Sequence, residues 1–190
     1  MTDDIHRRET FKAALLPLIA TELAAQPALA QSGVGPSVVV YLSRSGNTRV
    51  LAGALARRFN ADLFELRPRS PWPEDYDEMV AWASRMREQG NNVPLAEDLP
   101  GVADYGTVFL CHPIWGMDLP AVTASFLQGH DLSGKTVVPI ITHGGYGAGE
   151  AVATAQALAP DASFTKPFIL QCNQERDDLD SLTAWLGENL

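Results

Sequence analysis

The stretch Val38-Val39-Val40-Tyr41-Leu42-Ser43-Arg44-Ser45-Gly46-Asn47-Thr48 decides how the rest of the chain is read. Its first five residues are apolar without interruption, the pattern of a strand covered on both faces in a parallel sheet. Its second half is small and polar, and it leads into a helical pattern with apolar residues at 51, 55 and 59 on one stripe. A strand, a short loop and a helix in that order gather hydroxyls, an Asn amide and the free N–H groups of a helix N-terminus. Such a set suits a phosphate: the dipole and N–H groups favour an anion, the side chains donate, and Gly46 lets the backbone come close. An ordinary N-cap supplied by Ser45 or Asn47 is the plainer reading. One such residue would satisfy it, and Ser43, Ser45, Asn47 and Thr48 exceed that need. The loop has neither the G-x-x-x-x-G-K-[ST] nor the G-x-G-x-x-G spacing, which argues against a nucleoside triphosphatase and a Rossmann-type dinucleotide fold.

Outward from this stretch, strands and helices alternate. Residues 61–66 alternate as a second strand, 76–89 read as a helix stopped at Gly90, and 107–111 as a third buried strand. A helix over 120–127, a strand over 135–142 and a helix over 150–158 follow. A fifth strand covers 164–170, with Pro167 at an edge or a bulge, and a helix over 178–190 closes the chain. This order predicts an α/β fold with a parallel sheet covered on both faces and ligands outside the carboxyl ends of the strands. The site is therefore expected just after Leu42, Cys111 and Thr142.

The loop after the third strand is His112-Pro113-Ile114-Trp115-Gly116. Trp115 either covers the end of the sheet or walls a flat ring; His112 reads as a structural hydrogen-bonding residue. After the fourth strand stands Thr142-His143-Gly144-Gly145-Tyr146-Gly147-Ala148-Gly149. Its glycines are expected to bare backbone N–H groups to a ligand edge and to let Tyr146 project. One phosphate loop and two ring-holding loops imply a mononucleotide with a flat head group.

Composition bounds the partners. A chain of 190 residues with 46 % apolar content can bury the core of one domain. Its 14 Lys and Arg against 23 Asp and Glu give −9, the wrong sign for sequence-independent nucleic-acid binding. Cys111 and Cys172 form neither C-x-x-C nor a zinc spacing. No apolar run of 18 residues is present, so no stable membrane span is expected.

Residues 1–30 read apart from the rest. A basic start, an apolar stretch and the ending Ala28-Leu29-Ala30 are the three parts of an export signal, followed by a loop-like linker over 31–36. Arg7-Arg8 with Phe11 and Lys12 close behind resembles a twin-arginine signal, with Thr10 and Glu22 departing from that pattern. The alternatives are export to the periplasm or beyond, and a cytoplasmic protein whose N-terminal amphipathic helix ends near Pro27. Without 1–30 the domain keeps 11 basic against 19 acidic residues, so the acidity belongs to the domain.

Taken together, Ser43–Thr48, Pro113-Ile114-Trp115 and Thr142–Gly145 resemble the flavodoxin family, in its flavodoxin-like branch. Tyr76-Asp77-Glu78 and 131–136 match the same branch, and the likeness spans residues 37–166 of 37–190. It implies a flavodoxin-like three-layer sandwich, a five-stranded parallel sheet in order 2-1-3-4-5, and FMN held without a covalent link. Where the branch often carries a second Trp, this chain has Gly116 and then Met117, leaving Trp115 and Tyr146 as the residues for ring contact. Three functions follow as expectations: an electron carrier to a protein partner with a basic face, an FMN-dependent NAD(P)H:quinone or flavin reductase, and a binding module with an empty site. A phosphorylation receiver is excluded by Ser43-Arg44 where an acidic pair is needed. The export reading makes one prediction. Changing Arg7 and Arg8 to Lys is expected to leave the precursor uncut inside the cell, whereas the native protein begins at Gln31; N-terminal sequencing of both checks it.

Overall fold

The computed structural model describes residues 35–172 and 175–190. The export-signal reading of residues 1–30 lies outside the described residues. Among the described residues, six strands and five α-helices follow one another: β1 (Ser37–Tyr41), α1 (Asn47–Phe59), β2 (Asp62–Glu65), α2 (Tyr76–Glu88), β3 (Thr107–Pro113), α3 (Ala121–Gly129), β4 (Thr136–His143), α4 (Ala151–Leu158), β5 (Ser163–Phe164), β6 (Phe168–Gln171) and α5 (Glu175–Asn189). The strands pair in parallel in the order β2-β1-β3-β4-β5, with β6 also on β4. This is the flavodoxin-like α/β sheet order expected from the sequence.

Alternation along each strand divides the core in two. Val38, Val40 and Leu42 face one layer with Val108, Leu110 and Ile141, under α3, α4 and the Trp82–Met86 side of α2. Val39 and Tyr41 face the other with Phe109, Cys111 and Ile140, under α1 and α5. β1 and β3 are neighbours, yet α1 leaves toward one layer and α3 toward the other. Their loops part, and a crevice opens at the carboxyl edge between them.

The fifth strand is in two pieces, and prolines explain the break. The carbonyls of Val137 and His143 accept from Thr165 and Cys172, so odd-numbered residues of β4 face that edge. Pro139 faces it too and has no N–H to offer; Pro167, across the gap, has none either. The ladder therefore runs through 163–164 and resumes at 168–171. The sequence pointed to Pro167 but not to Pro139, its counterpart in a strand paired on both sides.

Phe109 is fully buried in β3 and stacks on Phe59, ring centroids 4.8 Å apart. Replacing it with Ala should cost about 3–5 kcal/mol, as a lower urea midpoint at unchanged slope.

Candidate functional site

The loop after β1 bends at Gly46, whose φ of 102° belongs to the left-handed region that favours glycine. The Ser43 hydroxyl accepts from the Gly46 N–H at 3.1 Å and fixes the bend from within. Gly46 is the N-cap of α1, and no side chain caps that helix. The Ser45 and Asn47 cap expected as the plainer reading is not made. In α2, by contrast, the Asp75 carboxylate accepts from the Glu78 N–H at 3.0 Å. The first turn of α1 thus keeps its N–H groups and dipole for something outside the helix. Thr48, buried in that turn, shares a hydrogen bond of 2.9 Å with Thr142 at the end of β4, tying the first loop to the third.

A cavity of about 200 Å3 lies at this junction. Arg44, Ser45, Asn47 and Thr48 line it from the first loop, Pro113, Ile114 and Trp115 from the second, and Thr142, His143 and Gly144 from the third. Cys172 completes the wall; sequence reasoning passed it over, although it too follows a strand at the carboxyl edge. Burial, followed by the nearby Asp178 carboxylate, pushes its thiol up to about 11, so it meets a ligand uncharged at neutral pH.

Other expected residues shape the site without lining this cavity. Gly145 and Gly147 aim their N–H groups at Nδ1 of His143, at 3.0 and 3.2 Å, so these two donors are spent inside the loop. Tyr146 is 85 % exposed and walls no part of the cavity. Gly116 and Met117 both have positive φ, 60° and 67°, inside a tight turn closed by reciprocal Trp115–Asp118 hydrogen bonds, the geometry of a primed hairpin turn. Met117 then accepts from the Glu150 N–H at 2.9 Å, and a side chain on Gly149 would overlap that carbonyl. The second and third loops are locked together there.

Two residues arrive from outside the three loops. Trp72 sets its ring edge-on to Trp115, centroids 5.8 Å apart at 89°. Arg87 of α2 donates from Nη1 to the Trp115 carbonyl at 2.9 Å. Arg44 donates to the Glu74 carbonyl at 2.7 Å and lies 5.9 Å from the centre of the Tyr76 ring.

A doubly wound parallel α/β sheet with a helix N-terminus that no side chain caps at its switch point defines a protein of the flavodoxin-like fold. A family model described as Flavodoxin matches residues 37–189, and the chain belongs to that family. Among solved structures it is similar to a protein assigned as a flavoprotein from Bacteroides eggerthii, at 26 % identity and a TM-score of 0.68, over 81 % of this chain and 97 % of that one. A flavoprotein from Lactobacillus acidophilus solved in complex with FMN shares the fold at 14 % identity and a TM-score of 0.63, over 78 % of this chain and 98 % of that one. Comparison with curated proteins finds no match.

His112 holds the end of β3 from inside. It is buried and bonded through Nδ1 to the Pro113 carbonyl at 3.0 Å. Burial pushes its imidazole from 6.5 down to about 4, against the weaker pull of that carbonyl and of Asp118. The unfolded chain takes up the proton from about pH 6.5 downward while the folded chain resists it to about 4. Stability should therefore fall across that window by about 3 kcal/mol. Urea unfolding between pH 7 and 4 should show the slope, and His112→Gln should flatten it.

Proposed function

We propose that the protein holds FMN without a covalent bond and carries electrons to a protein partner with a basic face. The observation that carries this reading is the α1 N-terminus, which no side chain caps and which adjoins a cavity lined by all three loops. The first-turn N–H groups, the Ser45 hydroxyl, the Asn47 amide and Thr48 would take the phosphate. Hydrogen bonds to such a charged group are worth about 1.5–3 kcal/mol each. The Thr48–Thr142 bond fixes the distance between phosphate loop and ring loop before any ligand arrives. Trp115, braced by Trp72 and Arg87, supplies a stiff apolar wall for the ring, and the un-ionised Cys172 avoids placing a charge beside it. A bound flavin supplies one- and two-electron chemistry. Family membership and the FMN held by the Lactobacillus acidophilus relative support the same choice. The domain's excess of 19 acidic over 11 basic residues favours a basic docking face, and export of the folded protein would place it away from NAD(P)H.

The second reading, an FMN-dependent reductase of quinones or flavins using NAD(P)H, draws on one observation. Arg87, from α2, joins Arg44 of the first loop beside Trp115.

Ser45→Ala with Asn47→Ala should weaken FMN at least about tenfold and leave riboflavin almost unchanged, read by flavin fluorescence quenching. Equal loss for both ligands would remove the phosphate from this loop. Electron transfer from the reduced, FMN-loaded protein to a basic cytochrome should slow as salt rises from 0.05 to about 0.5 M, seen by stopped-flow absorbance. A salt-independent rate, or rapid saturable NADH oxidation by the FMN-loaded protein alone, would favour the reductase.

A further inference from the structure

A second cavity, of about 340 Å3, lies on the α2 side of Trp115. That size falls in the range of small-molecule sites. Trp115 and Ile114 wall both cavities. The far wall is a stripe of α2, Tyr76, Met79, Val80 and Ala83, at the i, i+3, i+4, i+7 spacing of one helix face. Core burial accounts for Met79, which is 4 % exposed, but not for the outer part of the stripe: Trp82 and Met86 pack against the core on another side of α2, while Tyr76 is 67 % and Val80 47 % exposed.

Two guanidinium groups close the cavity. Arg44 reaches it from the phosphate loop, and Arg87 from the last turn of α2. Arg87 lies where a side chain on residue 116 would stand, so the bare Gly116 is what admits its guanidinium there. Its Nη1 is spent on the Trp115 carbonyl and its Nη2 reaches the Ser84 hydroxyl at 3.4 Å; Arg44 donates to the Glu74 carbonyl. Neutral oxygens hold both groups in place and leave both charges standing. Among the described residues, the ion pairs formed by arginine are those of Arg49 and Arg67 with Glu65. In a chain with 23 acidic residues, two guanidinium groups facing one apolar-walled space without a carboxylate are a site for an anion.

We propose that this second cavity binds a small, flat aromatic anion, its acidic group on Arg44 and Arg87 and its ring between Trp115, Met79 and Val80. An indole face and a thioether are suited to a flat ring, and a planar guanidinium to a carboxylate or sulfonate. The inference rests on the FMN reading only in assigning the neighbouring cavity to the flavin.

The test is calorimetric titration of the FMN-loaded protein with 2-naphthoate and with 2-naphthamide, its uncharged counterpart. The expected result is saturable binding of 2-naphthoate at least about tenfold tighter than that of the amide. Arg87→Met should remove most of that difference. Val80→Glu, at an exposed position, should weaken 2-naphthoate by at least about tenfold through like charge. Val80→Glu, which lies outside the flavin cavity, should keep the FMN affinity of the parent, and for Arg87→Met the two probes are compared on the same FMN-saturated variant. Equal affinity for the two probes, no binding at millimolar concentration, or release of FMN by 2-naphthoate would overturn the proposal, the last by assigning this cavity to the flavin ring. Should the protein not load FMN, the cofactor reading fails separately, and the same titration without FMN decides this one by the same criteria.

Discussion

The complete burial of β1 is the constraint on which the rest of the molecule depends. Val38, Val39, Val40 and Leu42 have no exposed surface, and Tyr41 has little. A parallel strand covered on both faces cannot be joined to its neighbours by hairpins; each connection crosses over a face and carries a helix. The chain leaves β1 toward β2 under one layer and returns from β2 to β3 over the other. The loops after β1 and β3 are thereby sent to opposite sides of adjacent strands. The crevice between them follows from connectivity, and its polar lining from the few residues that fill it.

This constraint also separates what the sequence disclosed from what it could not. Strands β1, β3 and β4 are unbroken apolar runs, so their ends were legible, and with them Ser45, Asn47, Trp115 and Thr142. Backbone direction within a loop was not legible. Four glycines suggested N–H groups bared to a ligand, but those of Gly145 and Gly147 turn inward to His143, because its ring nitrogen is the nearer acceptor. Nor could spacing place Arg87 and Trp72 at the site. They come from a helix and a loop whose position depends on packing across the sheet edge, and no local pattern encodes that. Pro139 shows a related limit: a proline inside a central strand looks forbidden until its missing N–H is seen to face another proline's gap.

The apolar face of α2 illustrates how one helix serves two demands. Trp82 and Met86 pack on the core and Met79 is buried at the floor of the cavity, so the exposed Tyr76 and Val80 of the same stripe face the cavity without loosening the fold. Asp75 caps the same helix, leaving its own N-terminus satisfied where that of α1 is left open.

An acidic chain that gathers two uncompensated guanidinium groups at one place is not a contradiction, because the two charges act at different ranges. Exposed carboxylates elsewhere on the surface are screened over about 8 Å at physiological ionic strength. They would bias which large partners approach, since a protein face meets many of them at once. A small anion inside the proposed site would touch Arg44 and Arg87 and be shielded from most of that surface by protein. There the local pair outweighs the net charge, since Coulomb attraction at contact in a partly desolvated site exceeds a screened repulsion from farther away. On the proposed reading, net charge would select among proteins, while the bare Gly116 and the arginine it admits would select among small molecules.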